Sequence, residues 1–102
     1  MAYKTVFNGV IFIEGSEPDI IPERTLNYEY GSIGSQLKNL NDVKANLSEQ
    51  AKFYDCNCIM NFKYGQKSSW ISFDDVKWYG SGDAARISDA KFKKYIDEIL
   101  KR

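Results

Sequence analysis

Apolar residues follow two different periods along this chain, and the changes of period mark out its elements. From Lys4 to Ile13 β-branched and aromatic residues dominate, and Val10-Ile11-Phe12-Ile13 is a near-continuous apolar run. Such a stretch predicts a strand, and the unbroken run predicts burial on both faces or an interface on one of them. Glu14 to Arg24 reads as a loop, because Pro18 and Pro22 withhold backbone donors while Gly15 and Ser16 turn the chain. Its carboxylates lack the alternate spacing around a glycine turn that a calcium loop needs, so a solvated acidic loop is expected. Thr25 to Tyr30 alternates, with Leu26, Tyr28 and Tyr30 on one side, which predicts a short strand. Gly31 and Gly34 then break it. The third glycine of a dinucleotide fingerprint and the Lys-Ser/Thr ending of a phosphate loop are both missing, so a plain glycine turn is the expectation.

The period then changes to that of a helix. Leu40, Val43, Leu47, Ala51 and Tyr54 form one apolar stripe from about Leu40 to Tyr54, with Lys44, Glu49 and Lys52 on the outer face. Asn39 or Asn41 can cap its start, and Asp42 suits the positive end of the helix dipole. Asp55 to Asn57 is a tight polar corner, where short side chains bond their own backbone and tolerate left-handed geometry. Beyond it Cys58, Met60, Phe62 and Tyr64 alternate with Ile59, Asn61 and Lys63, which predicts a strand with the first set on one face. Gly65 to Ser69 reads as a hairpin connection and Trp70 to Tyr79 as the returning strand, with a bulge or bend at Asp74-Asp75. Gly80 to Asp83 reads as a turn, and Ala84 to Ile87 as a small strand extension. Ser88 is a good helix cap, and Phe92, Tyr95, Ile96, Ile99 and Leu100 supply the apolar face of a last helix. The pattern as a whole predicts a single α+β domain over residues 1–102. Its expected architecture is a small antiparallel sheet of three to four strands, packed by one main amphipathic helix and a C-terminal helix.

Composition narrows the function classes. Fourteen basic residues balance fourteen acidic ones, so the net charge is zero, which argues against affinity by bulk attraction to nucleic acid or to anionic lipid. No run approaches the ~18 apolar residues of a membrane-spanning helix. The N-terminal apolar segment is broken by Asn8 and Gly9 and has no small-residue cleavage site, so no membrane association is expected. Two cysteines one residue apart are badly placed for a mutual disulfide and suit a reducing compartment, so a cytoplasmic protein is expected. The chain has no histidine, which removes His-based triads, Cys-His dyads and His-containing metal sites. No nucleophile–base pair can be assembled from what remains, so the chain reads as no enzyme.

One stretch supports a resemblance. At Ala51-x-x-x-Asp55-Cys56-Asn57-Cys58-Ile59-x-Asn61 the chain resembles the YbjQ-like heavy-metal-binding domain family, which carries Ala-x-x-x-Gly-Ala-Asn-Ala-Ile-x-Gly at the same helix-to-strand corner. Tyr79-Gly80-Ser81-Gly82-Asp83-Ala84 is similar to the family's Gly-Thr-Ala-Val ending, and Gly9-Val10-Ile11, more loosely, to its first strand. The likeness is concentrated in residues 51–87. It implies a small α+β fold with a helix on an antiparallel sheet, and members that assemble as ring-like homo-oligomers. Here Asp55 and Asn61 stand in place of the family's glycines, and Cys56 and Cys58 in place of its alanines.

Three readings of function follow. The first is a non-enzymatic binding or interaction module that self-associates or takes a protein partner, with Val10 to Ile13 and Trp70 to Trp78 as contact surfaces and no cofactor. The second is a thiol-based metal- or redox-responsive protein in which Cys56 and Cys58 hold a soft metal ion. Against it, a closed zinc site wants four ligands, and free cysteines are among the most often buried residues. The third is single-stranded nucleic-acid binding by Lys63, Tyr64, Lys67, Trp70, Lys77, Trp78 and Arg86, which interleave rings for stacking with cations for the backbone. Zero net charge weighs against that, and aromatics are also ordinary filling between a sheet and its helices.

Overall fold

The computed structural model describes residues 3–30, 40–68 and 76–101. Its strands are β1 (Tyr3–Phe7), β2 (Val10–Glu14), β3 (Arg24–Tyr30), β4 (Cys58–Ser68) and β5 (Val76–Ala85), and its helices are α1 (Leu40–Phe53) and α2 (Asp89–Leu100). The strands form one sheet in the order β1-β2-β4-β5-β3. β2 and β4 run parallel, with Ile11 opposite Cys58, and the other three pairings are antiparallel. The fold is therefore α+β as expected, but the sheet has five strands and is mixed. No helix among the described residues is long and apolar enough to cross a membrane.

The additional strand comes from Asn8-Gly9. Both residues take positive φ, 51° and 77°, which matches the mirror-image turn that joins tightly paired strands, and Phe7 pairs with Val10 across it. What reads as one strand from Lys4 to Ile13 is thus a hairpin. Within β2, Val10 and Phe12 enter a core beneath α1, while Ile11 and Ile13 enter a second core beneath α2. All four are fully buried, so this run is interior to the chain and not the contact surface expected of it.

α1 buries Val43, Leu47 and Ala51 of its stripe. Ser48 is buried beside them and donates its hydroxyl to Lys44 O (2.7 Å) and Phe7 O (3.3 Å), which satisfies it inside an apolar layer. The helix stops at Phe53, and Tyr54 lies beyond it in the turn, exposed instead of completing the stripe. Beneath the helix run Gly80, Gly82 and Ala84 of β5. A Cβ at Gly80 would lie 2.4 Å from Val43 Cγ1, and one at Gly82 would lie 2.3 Å from Ile59 Cγ2. These glycines sit in mid-strand because α1 and β4 approach too closely for a side chain, and the turn expected at Gly80–Asp83 does not exist.

β4 carries a bulge. Its register against β5 shifts between Met60 and Lys63, and Asn61 takes a φ of 52°. The extra residue turns Phe62 onto the α1 side with Ile59, while Cys58 and Met60 stay on the α2 side. The single alternating face expected for Cys58, Met60, Phe62 and Tyr64 is therefore split in two. The strand also continues through Gly65 to Ser68, where a hairpin connection was expected. The segment 31–39 and residues 69–75, including the glycine turn and Asp74-Asp75, lie outside the described residues.

α2 begins as its sequence predicts, with Ser88 Oγ accepting from Lys91 N–H at 3.2 Å. Tyr95 is its one buried residue, with Phe92 and Ile96 packed at the margin of the second core.

Candidate functional site

The corner between α1 and β4 is built from backbone and one asparagine. Asp55 takes a φ of 60°, and Cys56 N–H reaches back to Ala51 O at 2.7 Å, which closes the helix end. Asn57 then joins three strands' worth of chain. Its carbonyl accepts from Ile11 N–H, and its amide N–H donates to Ala85 O, both at 3.1 Å. Its side chain donates to Ile87 O (3.0 Å) and accepts from Ile87 N–H (2.8 Å), standing in for a strand neighbour. The corner is thus a structural joint.

Both thiols are free and buried, and they diverge. Cys56 packs in the α1 core and its Sγ–H contacts Tyr54 O at 3.6 Å, whereas Cys58 is in the α2 core with no exposed surface. Burial, reinforced by Glu17, pushes the Cys58 thiol up to about 12, and burial with Glu23 and Asp55 raises Cys56 also. A metal wants thiolates that converge, and this geometry opposes both conditions. Among the described residues no three Cys, Asp or Glu side chains gather as a ligand set.

The basic and aromatic residues of the hairpin separate as well. Tyr64 stacks on Phe62 with ring centroids 5.2 Å apart, and Phe62 meets Phe12 edge-on at 4.8 Å, so this aromatic row continues the α1 core. Trp78 packs against the same core. Lys63 is exposed and, as the neighbour of Tyr64 along the strand, points to the opposite face. Arg86 lies past the far end of β5, where it pairs with Asp55 at 2.6 Å. Lys67 and Lys77 pair through their backbones, but their side chains, and all of Trp70, lie outside the described residues.

No family model, no curated protein and no solved structure matches the chain. The surface itself must therefore indicate the site.

Its clearest candidate lies where α1, the loop before β3 and the exit of β5 come together. Phe53 is 81% exposed and Ile21 83%, the two most exposed large apolar side chains among the described residues. Tyr54 meets Phe53 edge-on at 5.0 Å, and the Arg24 guanidinium lies over the Tyr54 ring at 3.7 Å. Arg86 binds both the Asp55 carboxylate and Asp55 O (3.0 Å), and it lines one groove with Ile21 and Glu23. Aromatic residues and arginines over an apolar centre are the composition of protein contact surfaces. The sequence held one signal of this patch. Phe53 falls two positions after Ala51, about 200° around the helix from the buried stripe. The placing of Arg24 on the neighbouring Tyr54 ring, and of Arg86 on Asp55, arises only from the fold.

Proposed function

We propose that this protein is a non-enzymatic interaction module that associates with a second copy of itself through the surface made by Ile21, Phe53 and Tyr54. The observation that carries the reading is the pair of almost fully exposed apolar side chains, Ile21 and Phe53, edged by groups of both signs. Arg24 and Arg86 stand beside Asp55 and Glu23, so a two-fold-related copy of the same patch offers groups of both signs and not a field of one sign. A chain of zero net charge also meets its own copy without bulk repulsion.

The resemblance to the YbjQ-like family enters here as part of the same proposal. Asp55 and Asn61 occupy the two positions where the family pattern has glycine, and both adopt positive φ, 60° and 52°, where glycine is favoured. That coincidence supports a shared corner geometry, and it adds no activity.

Light scattering over a concentration series tests the association. Wild type is expected to move from monomer to dimer mass, and Phe53→Ser to remain monomeric with an unchanged melting temperature, because Phe53 contributes little to the core. A monomeric wild type throughout, or a Phe53→Ser variant that still dimerises, overturns the reading.

A further inference from the structure

The two halves of the core are fastened differently. α1 closes its half with Val43, Leu47, Ser48 and Ala51, all fully buried, the first two seated on Gly80 of β5. α2 closes the other half with Tyr95 as its one buried residue, Phe92 and Ile96 packed only at the margin and Leu100 76% exposed. Ile11, Ile13, Cys58 and Met60 of the same core are essentially inaccessible, under a cover that this lightly anchored helix shares with Ile20 and Ile87.

Ionic contacts supply much of the remaining attachment. Lys4 of β1 pairs with Glu98 of α2 at 3.4 Å and with Glu17 of the β2–β3 loop at 3.0 Å. Lys91 of α2 pairs with Asp19 of the same loop. The Tyr95 ring lies between these ammonium groups, 4.9 Å from Lys4 Nζ and 6.0 Å from Lys91 Nζ. Of their acidic partners, Glu98 and Asp19 keep 46% and 63% of their side chains in solvent, so the two pairs that reach α2 are open to screening by salt. At the base of the helix Ile87 is held by the Asn57 side chain, a fixed point about which α2 can turn.

From this we infer that α2 is a releasable cover. It lifts from the sheet as a unit while the α1 half stays folded, and the fluctuation bares the Ile11, Ile13 and Met60 face and the Cys58 thiol. Segments with few buried anchors open locally at lower free energy than the whole domain. The independent core around α1 makes such opening possible without global unfolding.

Cys56 and Cys58 report on the two halves separately. In Cys56→Ala, Cys58 is expected to react with an aromatic disulfide reagent faster than global unfolding allows, and several-fold faster still in added salt or with Glu98→Gln. In Cys58→Ala, Cys56 is expected to react no faster than global unfolding under all these conditions. Amide exchange on the wild-type chain gives the same reading without substitution, α2 exchanging ahead of α1. Equal labelling of both thiols at the global-unfolding rate, insensitive to Glu98→Gln, overturns the inference, as does α2 exchange that matches α1.

Discussion

Adding one methyl group at Gly80 tests whether close approach of α1 is the reason β5 carries glycine in mid-strand. Gly80 has no positive φ among the described residues, so alanine fits its backbone, and the substitution alone would stabilise by roughly 0.4–1 kcal/mol through the unfolded chain. Space decides against it. The new Cβ would lie 2.4 Å from Val43 Cγ1 and 3.2 Å from Leu47 Cδ1, both on fully buried, β-branched or tightly packed side chains that cannot swing into solvent. Overpacking of this kind costs about 1–3 kcal/mol, so Gly80→Ala is expected to destabilise by about 1–2 kcal/mol net. Val43→Ala alone removes two buried methyl groups and should cost about 2 kcal/mol. Together the variants should lose less than the sum by about 1 kcal/mol, since the added methyl occupies space that Val43 vacates. Urea midpoints with unchanged slopes measure all four states. A Gly80→Ala variant at or above wild-type stability, or strict additivity in the pair, would show that α1 does not press on β5 here.

Two more outcomes follow from the corner. The Cys58 thiol ionises from about 12 in the folded chain but from its ordinary value near 9.0 when unfolded, so the folded state holds the proton more tightly. That advantage is complete below the unfolded value and is lost as pH rises towards the folded one; the stability gap between wild type and Cys58→Ala should therefore shrink by up to ~1.4 kcal/mol per unit above about pH 9. Parallel stability curves from about pH 8 to about pH 11 would refute it. Asn57→Ala strips partners from both the N–H and the C=O of Ile87 and should cost about 2 kcal/mol or more. Its thermal melting checks this, and a midpoint equal to wild type would mean that water replaces the amide at no loss.

Much of the scaffold was legible because single-residue signals coincided with period. The α1 stripe, the Ser88 cap and the polar corner each combine an apolar repeat with a residue that stops or starts it. The failures have one physical source: glycine and asparagine serve more than one purpose. Gly80 and Gly82 read as a turn because glycine grants conformational freedom, yet β5 uses them for space. Asn61 reads as one more polar position in an alternating strand, yet it takes the left-handed bulge that reverses the side-chain order after Met60. Asn8-Gly9 interrupts an apolar run and was open to reading as a mere flaw in one strand, although that pair is the strongest short hairpin signal. The candidate surface was hardest to see. Ile21, Arg24, Phe53 and Arg86 belong to four separate stretches, and no local pattern joins them.

The chain's most distinctive stretch, residues 51–61, is consumed by architecture, and this moves the search for function to its rim. Asn57 has spent its amide on Ile87, Asn61 donates to the Asp83 carboxylate at 3.0 Å, and each thiol is enclosed by a different core. What this stretch leaves facing solvent includes Phe53 to Asp55. Asp55 is exposed at this left-handed turn, and its carboxylate holds Arg86, the residue that leads from β5 towards α2. The same turn that joins α1 to β4 thus presents Phe53 and Tyr54 outward and fixes the arginine beside them. A contact made at this rim rests on α1 through Phe53, while its Ile21 side borders the groove that Ser88 and Lys91 line at the start of α2.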